Sequence, residues 1–212
     1  MFGVRVISFE GCIGSGKTSL TNYFSHGLNY HKIIEDFNAN PFLEEFYKGL
    51  DVRLQAEIVF LLIHYTQLKK AMGCNQGHPV IIADFSIEKD LVFARLNLSS
   101  SELRLFESLY EHVVREVGIS DTVVYLNVSQ KVLRRRIFQR GREYEVKTEP
   151  EYFARYNETL QDYFETQSQS KVHLVNADDL VLEPDDPKVS LIRQIILGIG
   201  AEPAVSVKPA SN

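Results

Sequence analysis

Eight residues near the N-terminus, GCIGSGKT at positions 11–18, place three glycines, a lysine and a threonine directly after an apolar run. They fit the pattern G-x-x-x-x-G-K-[ST], in which glycines let the backbone approach a phosphate and the N–H groups form an anion nest. The lysine then reaches the β- and γ-phosphates, and the threonine hydroxyl binds Mg²⁺. A flexible turn is the alternative, but a preceding strand and a following helix favour nucleotide binding. The predicted nucleotide contacts are Gly11, Cys12, Ile13, Gly14, Ser15, Gly16, Lys17 and Thr18.

Acidic residues follow two further apolar runs, at positions where parallel strands would end. Ligands of open α/β sheets bind at the carboxyl ends of the strands, so these acids are candidates for a site. Asp84 follows VIIA and is typical of an acid that helps to bind Mg²⁺, although such an acid can instead cap a helix. Glu35 can accept the proton of a hydroxyl group, with Asp36 as the alternative and an ordinary loop acid as the simpler interpretation.

The segment from Lys131 to Arg142 contains six basic residues and no acid, although the whole chain carries a net charge of −5. Arg136 and Arg140 are four residues apart and share one helical face, and Arg142 follows a glycine. Arginines at such a place stabilise the charge of a transferred phosphoryl group. A solvated basic helix is the alternative, but the glycine motif favours a lid over the phosphates.

Short β-branched runs alternate with amphipathic segments along the chain, which predicts an α/β fold with a parallel sheet. The predicted strands cover residues 4–9, 32–37, 80–85, 122–128 and 171–176. The predicted helices cover residues 17–27, 51–72, 86–98, 101–117, 130–140, 149–167 and 188–199. We expect one domain over residues 1–200 and a disordered tail over residues 201–212.

The composition narrows the class of protein. The 212 residues are 44% hydrophobic, which is enough for one buried core. A net charge of −5 disfavours a nucleic-acid partner. Two cysteines without metal-ligand spacing favour a reduced compartment. Neither a signal peptide nor an apolar run of membrane-spanning length is evident, so we expect a cytoplasmic protein without a membrane partner.

Five stretches together resemble the deoxynucleoside kinase family, in its deoxyadenosine/deoxyguanosine/deoxycytidine kinase group, and most of all the bacterial deoxyadenosine kinase-like members. They are FEGCIGSGKTSL, IIEDFNANPFLEEFY, FLLIHYTQLKK, IIADFSIEKDLVFA and RRRIFQRGREYE. The resemblance implies a P-loop NTPase-type three-layer sandwich with a five-stranded parallel sheet and an arginine-rich lid. It also implies a homodimer, ATP and Mg²⁺ at the donor site, and a deoxynucleoside 5′-hydroxyl as acceptor.

The resemblance also implies roles for individual residues. Glu35 would be the general base, and Asp84 would lie near the metal. The remaining roles fall into three sets: the lid arginines Arg136, Arg140 and Arg142; the sugar contacts Tyr47 and Glu145; and the base contacts Glu57, His64 and Asp90. His64 can instead be a core or interface histidine, and a slip of one residue would put Lys89 in place of Asp90.

One departure from the family pattern concerns the end of the third strand. The family commonly has an acid, an arginine and a serine there, whereas this chain has Asp84-Phe85-Ser86. The arginine that would orient the catalytic carboxylate is therefore missing. Lys89 and Arg95 are the candidates to replace it.

Two other functions fit parts of the pattern. Nucleoside monophosphate kinases share the glycine loop and the arginine lid, but they need cations for the acceptor's phosphate. Around Glu35 the only nearby cation in the sequence is Lys32, which disfavours a phosphorylated acceptor. A non-catalytic switch that binds a nucleoside triphosphate would explain the missing arginine, but not the retained lid arginines. The sequence therefore favours phosphorylation of a deoxynucleoside, with adenine or cytosine amino groups suited to the base contacts.

Overall fold

The computed structural model describes residues 4–26, 30–73, 78, 80–146 and 148–199. Within them, five parallel strands form one sheet in the order β2-β3-β1-β4-β5. The strands are β1 (Arg5–Glu10), β2 (His31–Ile33), β3 (Val80–Ala83), β4 (Thr122–Asn127) and β5 (Lys171–Asn176). The predicted three-layer α/β fold with a five-stranded parallel sheet is confirmed.

Nine α-helices lie within the described residues. They are α1 (Lys17–His26), α2 (Leu43–Tyr47), α3 (Arg53–Gly73), α4 (Glu88–Asn97), α5 (Ser100–Val117), α6 (Gln130–Arg140), α7 (Glu143–Val146), α8 (Pro150–Thr166) and α9 (Pro187–Leu197). The sequence analysis missed α2, α7 and a 3₁₀ helix at Phe37–Ala39, because elements of three to five residues are too short to show a hydrophobic period. The predicted tail at 201–212 lies outside the described residues. None of the described helices has the length and apolar character that crossing a membrane requires.

The core lies on both faces of the sheet because successive side chains of a strand point to opposite sides. Ile7 and Phe9 of β1 pack with residues of α1, α6, α8 and α9. Val6 of β1 and Ile81 of β3 pack on the other side, with residues of α3 and α5. These runs are apolar on both faces, as expected for parallel strands covered by two helical layers.

The strand order positions the candidate site. β1 lies at the centre between β3 and β4, so the loop at Gly11–Gly16 emerges where connections leave the sheet in opposite directions. β2 was predicted to continue to residue 37 but ends at Ile33. The backbone N–H of Glu35 donates to the carboxylate of Asp84, directly after β3, so Glu35 lies beside the end of β3.

Candidate active site

A cavity of about 610 Å³ opens at the carboxyl ends of the strands. Its volume suits a small-molecule ligand. Most of the predicted site residues line it: Ile13, Gly14, Ser15, Gly16, Lys17, Thr18, Glu35, Tyr47, Glu57, Asp84, Asp90, Arg136, Arg140, Arg142 and Glu145. Gly11, Cys12 and His64 were also predicted, and the structure places them behind the lining.

The glycine loop has the backbone conformation that the motif requires. Gly11, Gly14 and Gly16 have φ angles of 140°, 84° and 106°, which L side chains rarely adopt. A Cβ atom at Gly11 would lie 2.6 Å from the carbonyl oxygen of Leu126, so a side chain does not fit there. The Nζ of Lys17 donates to the carbonyl oxygens of Gly11 and Cys12, at 2.7 and 3.2 Å. The side chain of Lys17 therefore folds back over the loop, next to the place where a phosphate would bind.

A buried acid beneath the loop, Glu10, was missed by the sequence analysis. It is the last residue of β1 and is fully buried. Its Oε1 accepts from the backbone N–H of Ser86 at 2.6 Å, and its Oε2 accepts from that of Gly11 at 3.1 Å. Burial raises the pKa of this carboxyl, against the opposing charges of Lys89 and Lys17. An acid at the end of the first strand, directly before Gly11 of the glycine motif, was the signal that could have identified it.

The candidate metal ligands lie side by side. The Oγ1 of Thr18 donates to the Oδ2 of Asp84 at 2.5 Å, while the Oδ1 of Asp84 accepts from the backbone N–H of Glu35 at 2.7 Å. A hydroxyl and a carboxylate are hard oxygen ligands that fit Mg²⁺. The described residues hold no cluster of three or more His, Cys, Asp or Glu able to bind a metal ion. Magnesium at Thr18 and Asp84 would complete its shell with phosphate oxygens and water.

Glu35, rather than Asp36, lines the cavity, and Asp36 is exposed. The Oε1 of Glu35 accepts from the Nζ of Lys89 at 2.5 Å and from the Nε2 of His64 at 2.9 Å. Burial acts to raise the pKa of Glu35, but the charge of Lys89 and the bonds from His64 outweigh it and hold the pKa well below its usual range. Glu35 is therefore an ionised hydrogen-bond acceptor at neutral pH.

Of the two cations considered as replacements for the missing arginine, only Lys89 reaches Glu35. Arg95 instead lies at the surface, where its Nη1 donates to Gln167 at 3.2 Å and its Nε approaches Glu107 at 3.8 Å. Burial acts to lower the pKa of Lys89, but the charges of Glu35, Glu10 and Asp90 outweigh burial and raise the pKa above its usual value. Lys89 thus remains charged beside Glu35.

His64 lies between two carboxylates. Its Nδ1 contacts the Oδ2 and Oδ1 of Asp90 at 2.8 and 3.0 Å, and its Nε2 contacts Glu35. The imidazole is fully buried and stacks on Phe85, with ring centroids 4.2 Å apart. Burial acts to lower the pKa of His64, but Asp90 and Glu35 outweigh it and raise the pKa to about 9. His64 was predicted to contact the nucleobase, but both of its ring nitrogens already bond to protein carboxylates.

The end of the cavity away from the glycine loop is lined by Glu57, Asp90 and aromatic rings. The Oε1 of Glu57 accepts from the Nδ2 of Asn97 at 2.8 Å. Burial is the main cause that raises the pKa of Glu57 to about 8, and Asp90 adds to it. Phe93 and Tyr156 stack with centroids 4.1 Å apart. This end combines flat apolar surfaces with carboxyl groups, which suits a planar ring that carries hydrogen-bond donors.

The lid arginines differ in their contacts. Arg136 donates to the backbone carbonyl oxygens of Ser15 and Ala177, at 3.2 and 2.9 Å. Arg140 and Arg142 instead form ion pairs with buried Glu145, and the Arg142 pair measures 3.2 Å. The guanidinium of Arg142 also lies 3.8 Å from the ring centroid of Phe37. Arg136 therefore joins α6 to the glycine loop, while Arg140 and Arg142 line the cavity beside Glu145.

Tyr47, at the end of α2, lines the cavity wall together with Phe46 and Glu145. The rings of Phe46 and Tyr47 pack edge to face, with centroids 5.4 Å apart. Short helices α2 and α7 thus bring together a phenol and a carboxylate that are far apart in the sequence.

Comparison with known proteins gives a consistent picture. The chain matches the family model of deoxynucleoside kinases over residues 7–196. It is 31% identical over 189 residues to a deoxyguanosine kinase of Bacillus subtilis, a match that covers 85% of this chain and 91% of that protein. A deoxyadenosine kinase of Lactobacillus acidophilus is 28% identical over 193 residues, covering 84% of this chain and 87% of the relative.

A solved structure shows the same likeness in three dimensions. The deoxyadenosine kinase from M. mycoides, solved with products dCMP and a flexible dCDP bound, superposes with a TM-score of 0.78 at 26% identity. The match covers 92% of this chain and 100% of that chain.

Proposed function

Because the chain belongs to the deoxynucleoside kinase family, a family of phosphotransferases with an alcohol acceptor, we propose that it phosphorylates the 5′-hydroxyl of a deoxynucleoside with ATP as donor. The product would be a deoxynucleoside monophosphate, formed in nucleotide salvage in the cytoplasm by a single domain over residues 1–200. The observation that carries the proposal is the carboxylate of Glu35, 2.5 Å from the Nζ of Lys89, in the wall of a cavity that the glycine loop also lines.

At the donor end, the backbone of the glycine loop and the N-terminus of α1 would bind the phosphates of ATP. Lys17 would exchange its bonds to the loop carbonyls for bonds to phosphate oxygens. Thr18 and Asp84 would hold Mg²⁺, which neutralises charge on the phosphates when it is bound. Arg140 and Arg142, which line the cavity, would stabilise charge that develops on the transferred group.

At the acceptor end, Glu35 would accept a hydrogen bond from the 5′-hydroxyl, orient it toward the phosphate and take its proton. Tyr47 and Glu145 would bind the sugar 3′-hydroxyl from the opposite wall. A carboxylate of low pKa is a weak base. The lowered pKa of Glu35 therefore favours a role in orienting the hydroxyl, rather than one in removing its proton early in the reaction. A loose phosphoryl-transfer transition state requires little proton transfer before the phosphorus–oxygen bond forms.

The base would lie among the aromatic rings, where Glu57 and Asp90 would form hydrogen bonds with it. The donors of His64 are directed at Glu35 and Asp90, so the groups left for the base are carboxyls. The acceptor oxygens of Asp90 suit the amino groups of adenine, cytosine or guanine better than thymine, whose edge has carbonyl oxygens at both sides of its only N–H. We therefore propose a purine deoxynucleoside, deoxyadenosine first, or deoxycytidine as the substrate.

A homodimer is the proposed assembly. Large apolar side chains are exposed on α3 and α5, which cover the same face of the sheet: Leu62, Leu105 and Leu109 are 49%, 51% and 38% exposed. A second copy of the chain that packs helix against helix on this face would bury them. Sedimentation equilibrium of the wild type and of Leu105→Asp would test this assembly, since the charge would shift the dimer toward monomer.

The function is tested by incubating the protein with Mg-ATP and each of the four deoxynucleosides, adenosine, and the matching 5′-monophosphates. Formation of a deoxynucleoside 5′-monophosphate is the expected result. Transfer only to monophosphates would make the protein a nucleoside monophosphate kinase. Tight binding of ATP without transfer to any acceptor would leave a nucleotide-dependent switch.

A further inference from the structure

We propose that His64 is a positioning residue that fixes Glu35 in the orientation for catalysis and links it to the base-reading Asp90. The inference rests on the function proposed above. It extends that function to a residue that would not itself touch the substrate, because His64 is fully buried and lies behind the cavity lining.

The protonation state of His64 follows from its partners. A carboxylate offers only acceptors, and each ring nitrogen of His64 lies within 3.0 Å of a carboxylate oxygen. Both nitrogens must therefore carry a proton and donate, so the ring is an imidazolium. Because Lys89 also donates to Glu35, opposite charges alternate along the series Asp90, His64, Glu35 and Lys89. Each buried charge then has an opposite neighbour, which offsets the cost of removing it from water.

The ring of His64 is held in its plane by aromatic neighbours. Phe85 stacks on it with centroids 4.2 Å apart and an interplanar angle of 23°, and Phe60 lies 6.0 Å away at the same angle. Asp90 fixes the rotation of the ring within that plane through Nδ1. Phe85, which stands where the resemblance implies an arginine, therefore supports a different cation.

The two cations act on the same oxygen of Glu35. Lys89 and His64 both donate to Oε1, while Oε2 accepts no hydrogen bond from the described residues. Two donors on one oxygen fix the rotation of the carboxylate about its last torsion. Oε2 is therefore the oxygen left for the 5′-hydroxyl, and its position depends on His64.

The same ring connects recognition of the base with orientation of the catalytic carboxylate. Asp90 lines the base end of the cavity and also fixes His64. A nucleobase that forms a hydrogen bond with Asp90 would stabilise the carboxylate that orients His64. His64 in turn orients Glu35. Loss of His64 should then lower turnover with every deoxynucleoside, rather than change the affinity for ATP.

The test compares His64→Leu, which removes both hydrogen bonds, with His64→Gln, which keeps one N–H donor. His173→Gln is the matched control, because His173 is also buried (5% exposed) but lies on β5 outside the cavity. We expect His64→Leu to lower kcat about 100-fold with the KM for ATP changed less than about 3-fold. His64→Gln should recover about 10-fold over His64→Leu, and His173→Gln should keep the wild-type kcat.

Two results with these variants would overturn the inference alone. A kcat near wild type in His64→Leu would overturn it while leaving the proposed function intact. Equal losses in His64→Leu and His64→Gln, with a matching loss of folded protein by circular dichroism, would show a purely structural role and also overturn it. Absence of transfer by the wild type would instead overturn the proposed function, and this inference with it.

Discussion

The hydroxyl of Thr18 donates to the carboxylate of Asp84 across 2.5 Å, which joins the first turn of α1 to the end of β3. The two residues are 66 positions apart in the sequence, and the parallel pairing of β1 with β3 brings them together. The same carboxylate holds the backbone N–H of Glu35. Asp84 thus connects the loop that would bind ATP with Glu35, the residue that would orient the acceptor hydroxyl.

Replacing Asp84 by Asn should weaken the use of magnesium. The amide offers one acceptor oxygen and no charge, so the metal would lose its only charged protein ligand among those proposed. We expect the Mg²⁺ concentration for half-maximal activity to rise about 10-fold or more. The affinity of Mg-ATP, measured by calorimetry, should fall toward that of metal-free ATP. Asp51→Asn, at an exposed position, is the control and should change neither quantity. An unchanged magnesium requirement in Asp84→Asn would contradict the proposed metal site.

The lid arginines should separate into two kinetic classes. Arg136 is bonded to the loop carbonyl of Ser15, so Arg136→Met should mainly raise the KM for ATP, by about 10-fold. Arg140 lines the cavity and pairs with Glu145, so Arg140→Met should mainly lower kcat, by about 100-fold or more. Exposed Arg135, changed to Met, provides the control. Steady-state kinetics that show the same pattern for Arg136→Met and Arg140→Met would refute this division.

The preference for a base should depend on pH through Glu57. Below its pKa of about 8 the neutral carboxyl both donates and accepts, which suits N1 and the amino group of adenine. Above that pKa the carboxylate only accepts, which suits the two N–H donors of guanine. The ratio of kcat/KM for deoxyguanosine to that for deoxyadenosine should therefore rise between about pH 7 and 9.

Glu57→Gln tests the origin of that pH effect, because an amide keeps a donor and an acceptor at every pH. In this variant the ratio of the two kcat/KM values should be flat and should favour deoxyadenosine. A ratio that still rises with pH in Glu57→Gln would assign the effect to another group.

The fold and the donor end of the site could be predicted because their signals are local. The glycine motif depends on eight consecutive residues, and the apolar runs at β1 and β4 are each visible within six. The surroundings of Glu35 could not be predicted in the same way. They depend on how α3 and α4 pack beside the end of β2, which brings His64 and Lys89 to one oxygen atom. The sequence indicated a missing arginine at Phe85, but only packing shows what lies in its place.

The position of Gly11 should not tolerate a residue with a side chain. Gly11→Ala would place a Cβ atom 2.6 Å from the carbonyl oxygen of Leu126 at a φ of 140°, so the loop and the end of β4 must move apart. Gly118→Ala is the control, since its φ of 72° is also positive but no atom lies within 4 Å of the added carbon. We expect Gly118→Ala to lose about 1 kcal/mol of unfolding free energy and Gly11→Ala about 3 kcal/mol or more. Urea denaturation and ATP binding would measure both, and equal losses would contradict the close contact at Gly11.

The most direct test of the account is single-turnover phosphate transfer by Glu35→Gln, with Glu45→Gln as the matched exposed control. The amide preserves the shape of Glu35 but removes the charge that would accept the 5′-hydroxyl. The account predicts that Glu35→Gln binds Mg-ATP with wild-type affinity and transfers its phosphate at least about 1,000-fold more slowly. It also predicts that Glu45→Gln behaves like the wild type. Transfer to the 5′-hydroxyl at a wild-type rate by Glu35→Gln would contradict the central role of this carboxylate.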